Sequence, residues 1–203
     1  MDQLSLFESG PYYEFPLDLL DYNGGFLAAA EADALFESLL NTVPWRQTTR
    51  KMYGTVKATP RLTAWYGDDS KSRQLGGRNV AVQQWTGELW SLKEKTEHYS
   101  GHSFNSVLLN LYRDAGDSVA WHRDKESELG NRPVIASVSL GQVRNFDFRS
   151  LGDHRRRYSL PLAHGSLQIM KGDLQEHWEH RIAKSVLPMR PRINLTFRKI
   201  QEG

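Results

Sequence analysis

The chain has 203 residues, 39% of them apolar and 25% charged, with a formal net charge of +2, a composition suited to a globular domain with a substantial core. It contains no cysteine, which excludes disulfides, zinc–thiolate sites, iron–sulfur clusters and thiol catalysis. No apolar run approaches the length of a membrane span, and Met1-Asp2 does not open a signal peptide, so a cytoplasmic protein is expected.

Residues 1–15 read as a tail and residues 16–203 as a single domain. The tail carries Leu4, Leu6 and Phe7 alternating with Gln3 and Ser5. Apolar residues this close to a terminus either fold back onto the domain or serve a partner. Ala28 to Leu40 reads as a helix, because Ala28, Ala32, Leu35, Phe36, Leu39 and Leu40 form one stripe. Asn41, Thr42 and Pro44 stop it. A basic segment from Trp45 to Gly77 follows, in which hairpin strands are expected. Trp85 to Tyr99 reads as a second helix, with Trp85, Leu89, Leu92, Thr96 and Tyr99 on one face and Gly101 at its end.

Beyond Gly101 the periodicity shortens to two. Phe104–Tyr112, Pro133–Leu140, Val143–Phe148, Arg157–Leu162, Ser166–Met170 and Arg192–Ile200 are predicted strands, with glycine-containing turns between them. Many short strands after two helices predict an α+β, mainly β fold. The expected form is a jelly roll buttressed by N-terminal helices.

Three constellations could carry chemistry. In Trp121-His122-Arg123-Asp124, an extended backbone turns His122 and Asp124 to one side. Such a pair is either an ordinary surface pair, with the His held by its neighbouring Asp, or two ligands of the two-His, one-carboxylate site that holds non-haem Fe(II) with open positions; taken alone, the first reading is the stronger. The third ligand must be a later histidine: His154, His164, His177 or His180. His154 sits in a charged turn and His164 just before Gly165, while His177 and His180 face opposite ways if their segment is extended. Spacing does not choose between these last two. The second constellation is Arg192 to Arg198. There Ile193, Leu195 and Phe197 take one face, and Arg192, Asn194, Thr196 and Arg198 the other. Such a polar face is either solvated or built for an anion, because arginine grips carboxylates through its planar fork. The third is Asn110-Leu111-Tyr112, whose polar groups at the end of an apolar face are either the rim of a pocket or a satisfied pair at the strand's end.

These stretches resemble the AlkB family of Fe(II)- and 2-oxoglutarate-dependent dioxygenases, especially the eukaryotic homologues that repair methylated bases. The likeness runs over residues 60–200, through PRLTAWYGD (60–68), GHSFNSVLLNLYRDAGDSVAWHRDKE (101–126), PVIASVSLGQVRNFDFR (133–149), LAHGSLQIM (162–170) and PRINLTFRKI (191–200). It implies a double-stranded β-helix. It also implies Fe(II) held by His122, Asp124 and His180, and 2-oxoglutarate held by Asn110, Tyr112, Arg192, Asn194 and Arg198. Arg198 is expected at the distal carboxylate, with Arg192 and Asn194 near the iron. Glu126 matches an acidic position that approaches the target base. The implied reaction is oxidative demethylation of N-alkylated bases, such as 1-methyladenine and 3-methylcytosine, in DNA or RNA. It consumes O2 and 2-oxoglutarate and releases formaldehyde, succinate and CO2. The chain departs from the pattern after Tyr66-Gly67-Asp68, where the aromatic stretch that sandwiches the base is replaced by Asp69-Ser70-Lys71-Ser72-Arg73-Gln74-Leu75. Tyr66 and Trp65 are the remaining candidates for stacking. Three basic clusters, at Arg46 to Arg61, at Lys71 to Arg78 and at Arg155 to Arg157, would grip phosphates.

That aromatic loss also suits a same-fold oxygenase acting on a protein or a small molecule, and the basic clusters oppose it. A non-catalytic nucleic-acid-binding module is opposed by the intact ligand set. The tail segment Gln3-Leu4-Ser5-Leu6-Phe7 resembles the short motif through which bacterial replication and repair proteins bind the sliding clamp. The likeness implies a bacterial protein that acts on DNA in the cytosol or nucleoid.

Overall fold

The computed structural model describes residues 18–52, 55–68, 73–75, 78–124 and 127–201. The tail with its Gln3 to Phe7 motif, and Glu126, lie outside the described residues. In chain order the elements are β1 (Leu20–Asn23), α1 (Ala29–Thr42), β2 (Arg46–Met52), β3 (Thr55–Gly67), β4 (Arg73–Leu75), β5 (Arg78–Val80) and β6 (Val82–Gln83). Then come α2 (Gly87–Ser100), β7 (Ser106–Tyr112), β8 (Val119–His122), β9 (Ile135–Gly141), β10 (Arg144–Ser150) and β11 (Arg157–Leu162). The chain closes with β12 (Ser166–Met170), α3 (Gly172–His177), β13 (Trp178–Ile182) and β14 (Arg192–Arg198).

Among the described residues the larger sheet runs β1-β12-β9-β14-β7-β3-β2, with β6 added in parallel to β3. The smaller sheet runs β11-β10-β13-β8, and β4 and β5 pair as a separate ribbon. The expected jelly roll is therefore present, with the helices against one face of the larger sheet. The alternation of β14 explains this layering. Ile193, Leu195 and Phe197 join Leu39 of α1 and Leu89 and Leu92 of α2 in one buried cluster. The polar face of β14 turns toward the smaller sheet. There a second cluster forms around Phe146, Phe148, Leu160, Leu162 and Trp178.

The helices differ slightly from the sequence reading. The second starts after Trp85, not at it, because Thr86 is its N-cap: extended, with its hydroxyl accepting from the Leu89 N–H at 3.3 Å. Trp85 is left outside and its indole donates to Asp68 at 2.7 Å. Gly101 ends the helix as expected, in the left-handed conformation at φ +70°. Elements absent from the predicted strands and helices are β1, β5, β6, β8, α3 and β13, although the segment that closes β8 reads as extended. The basic segment does fold as a hairpin, with β2 antiparallel to β3.

Candidate active site

His122 ends β8 and His180 lies in β13, and the two are directly opposed in the antiparallel register. Their ring centroids are 4.3 Å apart. Asp124 follows two residues later. Its Oδ1 is 3.8 Å from Nε2 of His122 and its Oδ2 is 3.9 Å from Nε2 of His180. One ligand atom from each of the three lies within 4.8 Å of the others.

The surroundings prepare these atoms. Nδ1 of His122 lies 2.9 Å from the Ala120 carbonyl and 3.0 Å from that of His180. A carbonyl only accepts, so Nδ1 carries the proton and Nε2 keeps its lone pair for a metal. Phe146 stacks on the His180 ring at 5.0 Å. Burial is the largest cause that pushes the His180 pKa down to about 3, so the imidazole stays neutral, as a metal ligand must be. Burial alone would raise the Asp124 carboxyl. The Arg198 guanidinium beside it opposes that and holds Asp124 below the usual carboxylate range. Arg198 Nη2 donates to Asp124 Oδ1 at 2.9 Å.

Gln175 was not visible in the sequence as a site residue. It is fully buried, and its amide oxygen accepts the backbone N–H of Asp124 at 2.9 Å. It thereby fixes the short segment that carries the carboxylate. Gln175→Leu keeps the volume and removes the acceptor. Loss of such an outer partner costs about 10–100-fold in metal affinity. Titration of the apo-protein with Fe(II) under anaerobic conditions is expected to show weakening at the lower end of that range.

The other histidines do not reach the trio. His177 is exposed at the end of α3, so it belongs to a different element from His180. His154 is exposed and approaches Glu179, and Nδ1 of His164 accepts the Gly141 N–H at 2.7 Å.

The trio opens into a cavity of about 1270 Å³ lined by Trp65, Asn110, Tyr112, Arg192, Asn194 and Arg198 among others. All five residues expected to hold the oxoacid are thus brought to one cavity with the metal ligands. The arginines of β14 stand in a different order from the one expected. Arg198, placed by the sequence analysis at the distal carboxylate, is bound to Asp124 and stands at the metal end. Arg192, expected near the iron, stands at the other end of the strand. It is 1% exposed, bonded through Nη2 to Ser139 Oγ at 2.8 Å and to Asn194 Oδ1 at 2.9 Å. Its Nε and Nη1 are buried without a partner. Burial lowers its pKa to about 10 despite the neighbouring Tyr112. A buried cation with two unused donors is incomplete without an anion.

Tyr66 is also corrected. Trp65 and Tyr66 are consecutive in β3 and must face opposite ways. Trp65 lines the cavity, and Arg198 Cζ lies 5.6 Å from its ring centroid. Tyr66 is 4% exposed and packs into the cluster beneath the helices, so it cannot meet a base in the cavity. The first basic cluster reaches the site. Arg61 enters it, donating from Nε to Asn110 Oδ1 at 2.8 Å. Exposed Arg46, Lys57, Arg123 and Lys184 also line the cavity. Arg155 instead closes on Asp153 in the turn between β10 and β11.

The donor set fits a non-haem Fe(II): two imidazole nitrogens and one carboxylate, held to one side with open space opposite. The orphaned guanidinium atoms fit an oxoacid with a second carboxylate.

Comparison with known proteins places this geometry. The 2OG-Fe(II) oxygenase superfamily pattern matches residues 20–198. The chain is 44% identical over 186 residues to alpha-ketoglutarate-dependent dioxygenase alkB homolog 3 of Bos taurus, covering 87% of this chain and 64% of that protein. It is 36% identical over 181 residues to DNA oxidative demethylase ALKBH2 of Mus musculus, covering 84% of this chain and 76% of that protein. The chain thus spans less than two thirds of the length of the first relative. The solved structure of OsALKBH1 superposes with a TM-score of 0.62 over 93% of this chain and 99% of that one, at 16% identity, which shows a shared fold.

Proposed function

The chain belongs to the 2OG-Fe(II) oxygenase superfamily, and from that premise we propose that it is an oxidative dealkylase of N-alkylated nucleobases such as 1-methyladenine and 3-methylcytosine. One observation carries the reading: the metal-ligand trio and a buried, half-unsatisfied Arg192 open into the same cavity. Similarity to alkB homolog 3 and ALKBH2 supports the choice of substrate.

When bound, Fe(II) with 2-oxoglutarate and O2 supplies the oxidation of the N-methyl group, which leaves as formaldehyde beside succinate and CO2. The chain's own residues do the rest. His122, Asp124 and His180 hold the metal, and Gln175 keeps Asp124 in place. Arg192 and Tyr112 take the distal carboxylate, while Asn110, Asn194 and Arg198 line the path back to the metal. A cavity of about 1270 Å³ has room for a nucleobase as well as the oxoacid. A base must leave its stack to enter, and a methylated base that cannot pair normally does so at less cost. Arg46, Lys57, Arg123 and Lys184 at the mouth suit phosphates. The substrate strand is DNA or RNA, and the tail motif favours DNA. Glu126 is proposed to approach the cationic base.

The test is incubation with Fe(II), 2-oxoglutarate and oligonucleotides carrying 1-methyladenine or 3-methylcytosine, as DNA and as RNA, followed by mass spectrometry. Loss of one methylene mass with equimolar succinate supports the reading. Succinate released without any change in the oligonucleotide would point to a protein or small-molecule substrate instead.

The sliding clamp is the proposed partner of Gln3, Leu4, Ser5, Leu6 and Phe7, in a bacterial cytosol or nucleoid. No helix among the described residues is long and apolar enough to cross a membrane. A peptide of residues 1–10 is expected to bind a bacterial clamp with micromolar affinity. Leu6→Ala with Phe7→Ala should remove binding and leave turnover of a free oligonucleotide unchanged. A double variant that unfolds the enzyme would show that the tail packs on the domain.

A further inference from the structure

Two buried guanidiniums close on the ring of Tyr112 from opposite sheets. Arg192 comes from β14 in the larger sheet, with Cζ 5.3 Å from the ring centroid. Arg144 comes from the first position of β10 in the smaller sheet, with Cζ 5.9 Å from the same centroid. Burial pattern explains the approach: Arg144, Phe146 and Phe148 share the inward face of β10.

The two differ in what their N–H groups meet. Arg144 is 4% exposed and does not line the cavity. Its Nη1 donates to the Asp114 carbonyl at 3.2 Å, and its Nη2 to those of Asp117 at 3.0 Å and Ala183 at 2.6 Å. Its donors are spent on neutral carbonyls, which satisfy hydrogen bonds and leave the charge in place. The buried carboxylate nearby, Asp117, is itself gripped by Arg113 through Nε at 2.8 Å and Nη2 at 2.9 Å. Asp114 also bears on Arg144, so Arg113, Arg144 and Arg192 face two carboxylates; the inner end of the cavity keeps a net positive charge, of which only Arg192 can touch a ligand. The two cations sense each other, since Arg144 is among the groups that disfavour the charged form of Arg192.

We propose that Arg144 is a positioning and specificity-determining residue for the oxoacid. Its charge, fixed behind the Tyr112 ring, makes the site select an oxoacid with a second carboxylate over one that ends in a methyl group. The proposal rests on the oxygenase reading given above. A fixed charge about 8 Å away, at an effective dielectric of about 20, is worth roughly ten- to thirtyfold in binding. The same residue also ties the β7–β8 loop to the end of β13, so charge and scaffolding must be separated.

Calorimetry on the full chain loaded with Mn(II), which accepts the same donors, separates them. Two probes are used: 2-oxoglutarate, and 2-oxopentanoate, which lacks the distal carboxylate. Arg144→Gln is expected to weaken 2-oxoglutarate roughly tenfold or more and to leave 2-oxopentanoate within about twofold. Arg144→Lys keeps the charge and gives up the carbonyl bonds, so it should preserve the wild-type preference between the probes even if the melting temperature falls. Equal weakening of both probes by Arg144→Gln, or no weakening of either, overturns the proposal. If Arg144→Gln does not fold, Arg144→Lys decides: a lost preference overturns the proposal and a retained one supports it. A wild-type protein that binds neither probe would overturn the oxygenase reading itself, and is distinguishable from a shifted preference.

Discussion

Alanine at His122, Asp124 or His180 is expected to abolish turnover and to cost more than about a hundredfold in Fe(II) affinity, because even outer partners of metal ligands are worth about 10–100-fold. His177→Ala is expected to bind iron and turn over like the wild type, since His177 is exposed on α3 and outside the trio. The three ligand variants should differ in the stability of the apo-protein. Asp124→Ala leaves Arg198 buried at 5% exposure without its carboxylate. Stranding one partner of a buried ion pair typically costs about 3–5 kcal/mol. His180→Ala removes a neutral ring and strands no charge. Chemical denaturation of the metal-free variants, beside anaerobic Fe(II) titration, checks both halves. Iron retained by His180→Ala and lost by His177→Ala would refute the assignment.

The second large effect belongs to Arg192. Arg192→Gln is expected to raise the KM for 2-oxoglutarate roughly ten- to a hundredfold, because a hydrogen bond to a charged group is worth about 1.5–3 kcal/mol in a shielded site. It should leave Fe(II) affinity unchanged, since Arg192 touches none of the three ligands. The apo-protein should not lose stability, because the substitution removes a buried charge with two unsatisfied donors. Arg198→Lys is the contrast. It disturbs the bond to Asp124, so its effect falls on the metal. Steady-state kinetics with varied 2-oxoglutarate, alongside metal titration, separates the two ends. Equal dependence of both variants on 2-oxoglutarate would return Arg198 to the distal position.

Much of this site was legible in the chain because period-two patterns fix faces. The alternation from Arg192 to Arg198 says which side chains share a side, and His-x-Asp places two ligands together. Alternation does not say which end of a face meets the metal. That depends on where β8, in the other sheet, crosses β14, and so the chain alone does not tell the place of Arg198 from that of Arg192. Period two likewise puts Tyr66 opposite Trp65, so only one of the two stacking candidates can face the cavity. The strand β13 escaped notice because its sequence, Trp178-Glu179-His180-Arg181-Ile182, is half charged. Arg149 neutralises Glu179 and Asp147 neutralises Arg181 on the outer side. Gln175 carries no sequence signature. Its importance comes from one long-range bond, to a residue 51 positions away.

β14 has a consequence for how such an enzyme can change. It is flanked on both sides, by β7 and β9, along nearly its whole length. Its two arginines are therefore set apart by a backbone that neither neighbour can release without breaking the sheet. The strand acts as a ruler: the interval from Arg198, beside Asp124, to Arg192 is cut into the middle of the fold. Descendants can acquire new substrates by redrawing the β2–β3 hairpin and the ribbon of β4 and β5, which hang at the sheet's edge or beyond it. They cannot readily trade the oxoacid for a longer or shorter one. Appetite is free to drift at the margin while the fuel stays standard at the centre.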